Sequence, residues 1–177
     1  MPDLLKSTSP DLLQDLAGEV QRLSATYAGL RDLISLGQCT SPSQPVHISE
    51  ALDDLSQELK SAKKSSEIRL SITHKHPLAT VLVDRTRFLH ALRTIVGITA
   101  DLSPPRSSIN LVTEIQPCPE TLRCDLILTI SAEADLTHLN FAHHLSFVVA
   151  EALLQADGAA MSFRPKPLIA TLTLPSA

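Results

Sequence analysis

The chain has no tryptophan, and aromatic residues make up 3% of its 177 positions. With so few rings it offers no stacking platform for bases. Its net charge of −4, from 15 Lys+Arg against 19 Asp+Glu, gives no reason to expect nucleic acid or an anionic membrane as partner. No apolar run approaches the roughly 18 residues of a membrane helix. The first residues lack a basic stretch leading into an apolar one, so no export signal is expected. Cys39, Cys118 and Cys124 are an odd set without metal-ligand spacing, which points to reduced thiols in a cytoplasmic protein. Glycine is scarce as well: it occurs at 18, 29, 37, 97 and 158, and nowhere from 98 to 157. Bringing several backbone amides up to a phosphate needs glycines, so that interval holds no glycine-rich phosphate cradle.

What is present is enough for a core. Apolar residues are 44% of the chain, sufficient for one ordinary domain plus an appendage. The stretch 84–105 has the marks of a buried helix. Phe88, Leu89, Leu92, Ile95, Val96 and Thr99 follow a 3.6-residue period, Asp84 can cap the start, and Ser103-Pro104-Pro105 blocks continuation.

Ahead of it, Ser9-Pro10 opens a long helix in which Leu13, Leu16, Val20, Leu23, Tyr27, Leu30 and Ile34 recur at alternating spacings of 3 and 4, with Gly37 as a stop. One helix cannot bury such a seam alone. A 3.5-residue period suits a supercoiled partner helix, hence a homodimer, better than a single crossing on its own domain, which is the alternative. Residues 40–45 read as a linker, dividing the chain into 1–46 (dimerisation-type helix and linker) and 47–177 (the globular domain). Within the second part, Ile48, Leu52, Leu55, Leu59 and Ala62 stripe a helix. Strands are expected at 68–72 and 80–83, a hairpin at 109–115 and 122–130, and a helix over 139–156 with Leu145, Val148, Val149, Ala152 and Leu153 inward. A second hairpin is expected at 160–163 and 168–174.

Asp84-x-x-Arg87-Phe88 with Leu92 resembles the first ATP-binding helix of the histidine-kinase catalytic domain, a GHKL-type ATPase. The order helix, strand pair, helix, hairpin, helix, hairpin matches that domain, as do the closing turn Asp157-Gly158-Ala159 and the ending Leu172-Thr173-Leu174-Pro175. The resemblance implies an α+β fold, a two-layer α/β sandwich of the Bergerat type carrying an N-terminal long helix. It also implies two Asn on the helix at 84–105, one of them holding Mg²⁺, where this chain has Thr94 and Ile98. An adenine-binding Asp beside glycines is implied after the fourth strand, where Glu133 and Asp135 stand without a glycine. The second glycine box would fall on 142–147, which reads Ala-His-His-Leu-Ser-Phe. About eight residues separate strand from helix, too few for the family's lid.

No cofactor and no metal are therefore expected, and no catalytic residue is assigned. His74 and His76 share a strand side without a third ligand, and His143 and His144 diverge around a helix. His90 lies opposite the apolar stripe and is expected to be exposed. The resemblance leads to a pseudo-histidine kinase: a homodimeric adaptor or regulator that binds a receiver domain or a kinase through Gln21, Arg22 and Arg31 on the long helix. The alternative is a histidine phosphotransferase in a phosphorelay. Residues 1–46 contain no His, so only His90, His143 or His144 could carry the phosphoryl group.

Overall fold

The structure is a computed structural model that describes residues 43–61, 68–118, 123–135, 137 and 139–177, together with residues 16–18, 20, 23, 24, 27, 31 and 34. From residue 44 onward the elements run β1 (Gln44–His47), α1 (Ile48–Ser61), β2 (Arg69–His74), β3 (Thr80–Val83), α2 (Arg85–Leu102), β4 (Ser108–Cys118), β5 (Arg123–Ala132), α3 (Phe141–Ala156), β6 (Ala160–Pro165) and β7 (Leu168–Pro175).

Five strands form a mixed sheet in the order β2-β4-β5-β7-β6, with β2 parallel to β4 and the other pairs antiparallel. Residues alternate across it. On β7, Leu168, Ala170, Leu172 and Leu174 are buried while the residues between them are half-buried. They share one core with Ile109, Leu111, Leu126, Leu128 and Ile130 and with the inward sides of the helices. Fully burying each such Leu or Ile side chain is worth about 1.5–3 kcal/mol, which makes this face the main stabilising layer. A small sheet, β1 against β3, joins the large one through the chain end, where Ala177 N–H donates to the Thr80 carbonyl at 3.1 Å.

The caps act as their sequence suggests. The Asp84 carboxylate accepts from Arg87 N–H at 2.9 Å. The Ser103 hydroxyl closes the last turn on the Thr99 carbonyl at 2.7 Å, before Pro104 ends α2. Beyond it, Ser107 N–H reaches the Pro104 carbonyl at 3.2 Å, a tight turn that holds Arg106 at φ 66°.

Three expectations need correction. Gln44 and Pro45, expected in a linker, belong to β1, which survives a proline because it is a sheet edge. The strands at β2 and β3 are no pair: β2 lies along β4 and β3 along β1. On α3 the buried set is Phe147, Val149, Ala150, Leu153 and Leu154, whereas Val148 is 48% exposed, Ala152 is exposed and Leu145 is half-buried. That helix is apolar on most sides, so its periodicity does not select a face.

Candidate functional site

The helix pair α2 and α3 and the loop after β5 carry the positions at which the resemblance implies nucleotide ligands and the sequence has other residues. The two helices run antiparallel along one another, because they are tied at opposite ends. At one end Arg87, in the first turn of α2, bonds Asp157 at the end of α3, with Nη2 to Oδ1 at 2.5 Å and Nε to Oδ2 at 3.4 Å. The Arg87 side chain is 12% exposed and the Asp157 side chain 2%. At the other end His143 Nε2 lies 3.9 Å from Asp101 Oδ2. His143 itself is in the first turn of α3, where its N–H donates to the Asn140 cap at 2.8 Å.

Two of the positions at which the resemblance implies a ligand, 94 and 98, lie on α2. The Thr94 hydroxyl donates to the His90 carbonyl at 2.9 Å, back along its own helix. Ile98 is buried in the core. Glu133 is exposed. Asp135 faces the turn between β6 and β7: Oδ2 accepts from Lys166 Nζ at 2.6 Å, and Oδ1 accepts from the N–H and hydroxyl of Thr137 at 2.9 and 2.5 Å. Lys166 first, then the Thr137 hydroxyl and amide, hold this carboxyl well below the usual carboxylate range. Both of its oxygens are thus engaged within the chain. Eight residues, 133–140, connect β5 to α3.

The other histidines are dispersed. His90 is half-buried rather than exposed, because α2 is flanked by α1 and α3 and keeps only a narrow outer strip. On the α1 side that strip is fastened by Arg85 to Asp54 and by Arg93 to Glu58. His74 is half-buried on β2 with Nδ1 3.3 Å from the Thr113 hydroxyl, and His76 is exposed in the turn that follows. His144 is exposed. No three His, Cys, Asp or Glu come together as a metal site among the described residues. Cys124 is an exposed free thiol, set opposite Pro117 rather than Cys118.

In the N-terminal segment, Leu16, Val20, Leu23, Tyr27 and Ile34 of the seam are helical and between 60 and 72% exposed. Leu13 and Leu30 lie outside the described residues, as do Gln21 and Arg22 of the expected partner surface; Arg31 is helical and exposed. No helix of the described residues is long and apolar enough to cross a membrane.

The sequence reading missed the Arg87–Asp157 pair and the approach of His143 to Asp101. For the Arg87 pair the available signal was Asp157 itself, a carboxylate at the end of an apolar helix, where a negative charge opposes the helix dipole and calls for a cation.

No family model matches the chain, and no curated protein matches it in sequence. Solved structures do match in fold. The chain is similar to an Acinetobacter baumannii histidine kinase, AdeS, at TM-score 0.66 and 14% identity, over 96% of this chain and 86% of that one. It is also similar to a mycobacterial sensor histidine kinase, MprB, at 0.62 and 15%, over 76% and 97% of the two chains. The cytoplasmic segment of the histidine kinase QseC matches at 0.64 and 10%, over 88% of this chain and 95% of that one. The fold is the α+β two-layer sandwich of the histidine-kinase ATPase type.

Proposed function

We propose that this chain is a non-catalytic component of two-component signalling, a regulator with a histidine-kinase-type fold that binds a receiver domain or a histidine kinase and binds no ATP. The supporting observation is the engagement of the positions that would hold a nucleotide. Thr94 bonds its own helix, Ile98 fills the core, and Asp135 is taken up by Lys166 and Thr137. A fold kept with its ligand positions turned to internal contacts retains shape as its useful property, and shape serves binding.

In this reading the heptad seam joins two copies, consistent with the exposure of Leu16, Val20, Leu23, Tyr27 and Ile34 on a single chain. Gln21, Arg22 and Arg31 are the proposed contacts for the acidic pocket of a receiver, to which the two arginines offer opposite charge. The test is to incubate the protein with a phosphorylated receiver and its kinase, then look for acid-labile, base-stable phosphate. The expected result is receiver binding that weakens with Arg22→Glu and no such phosphate on this chain. Label that disappears on changing His90, His143 or His144 to Ala would replace the adaptor with a phosphotransferase.

A further inference from the structure

Among the described residues, strand β6 is an open edge of the five-stranded sheet and pairs with β7 alone. Its residues are exposed except Met161, which is half-buried. Such an edge offers unpaired backbone donors and acceptors to another strand. Pro165, lacking an N–H, confines that offer to the residues before it.

The two sides of this edge differ in chemistry. Arg164 and Ser162 stand opposite Ile169 and Thr171, which alternate with the buried residues of β7 and so lie on the sheet face away from the helices. These four residues, with Phe163, line an open groove of about 310 Å³. Arg164 makes no ion pair with any described residue, whereas Lys166, two positions on, is held by Asp135. On the helix side Phe163 stands opposite the buried Ala170, with its ring 6.0 Å from that of Phe147. It is nevertheless 53% exposed.

We propose that β6 is the docking edge for an extended segment of a partner protein in which acidic and apolar residues alternate. The backbone of that segment continues the sheet beyond β6. Alternate side chains of a strand point to opposite faces, so one set brings a carboxylate to Arg164 beside the Ser162 and Thr171 hydroxyls, and the other set covers Phe163. A second copy is a poor occupant: β6 and β7 contain no Asp or Glu, so pairing β6 with β6 would gather two Arg164 on one face without a carboxylate. This inference stands on the sheet edge and is independent of the helix-borne surface proposed above.

The test uses the whole chain and a fluorescein-labelled, acetylated peptide of alternating Glu and Val, with a matched peptide of alternating Lys and Val. Anisotropy should show saturable binding of the acidic peptide, about tenfold weaker binding of the basic one, and a loss of about tenfold with Arg164→Glu. Phe163→Ser should also weaken binding, and amide exchange in β6 should slow when the acidic peptide is bound. Circular dichroism on each variant checks that the fold is kept, and Arg164→Gln supplies a milder charge removal if Arg164→Glu does not fold. Equal binding of both peptides, no saturable binding, or unchanged exchange in β6 would overturn the proposal. So would self-association of the chain that Phe163→Ser abolishes, since that assigns the edge to a second copy.

Discussion

Arg87 and Asp157, 70 residues apart in sequence, form an ion pair at 2.5 Å that fixes the first turn of α2 to the end of α3. Asp157 is almost wholly buried, and its position at a helix C-terminus is unfavourable for an anion unless a cation stands against it. Ser43, just before β1, adds a hydroxyl 3.5 Å from Oδ1, so one carboxylate gathers three separate parts of the chain.

Removing one partner should therefore cost more than removing both. Arg87→Met leaves the Asp157 charge buried and unpaired and should lower unfolding free energy by about 3–5 kcal/mol. Adding Asp157→Ala to it should restore much of the loss. Urea denaturation of the two variants checks this; a double variant as unstable as the single one would show that the charge pair is not the cause.

Asp135 predicts a pH dependence. Its folded-state pKa is depressed, chiefly by Lys166. A depressed carboxyl contributes stability that is fully present above the unfolded value of about 3.9 and is lost as pH falls through the folded value. The urea midpoint should consequently fall less steeply below about pH 4 in Lys166→Met than in the unaltered chain. Parallel profiles for the two would contradict the assignment.

Arg106 sits at φ 66°, where L side chains crowd the backbone, in the third position of a turn that begins at Pro104. Glycine suits that position. Arg106→Gly should raise stability by about 0.5–1 kcal/mol, the relief of strain exceeding the added freedom of the unfolded chain. Thermal unfolding gives the sign directly.

Much of the fold was legible because it rests on local patterns. The caps at Asp84 and Ser103 mark α2, and the prolines between β4 and β5 and between β6 and β7 mark the hairpins. What was not legible is non-local. The pairing of β2 with β4 and of β3 with β1 depends on where helices deliver the chain, and neither strand's alternation names its neighbour. The faces of α3 were unreadable because the run from Phe147 to Leu154 is apolar except for Glu151. At the site, the absence of Asn at 94 and 98 was plain in the sequence. The partners of Asp135 and Asp157 were not, since Lys166 and Arg87 lie 31 and 70 residues away from them.

The seam predicts a homodimer. Leu23→Glu combined with Leu30→Glu places like charges in it, at a cost on the order of several kcal/mol, and should convert the dimer to monomer in sedimentation at tens of micromolar. A wild-type chain that sediments as a monomer at the same concentration would show that the seam does not join two copies.

The most direct measurement is calorimetry of the whole chain with Mg²⁺ and ATP. With Thr94 bonded to its own helix, Ile98 in the core and Asp135 held by Lys166, no heat of binding is expected up to millimolar nucleotide. Saturable heat with micromolar affinity would contradict the account and return the chain to the nucleotide-binding members of its fold.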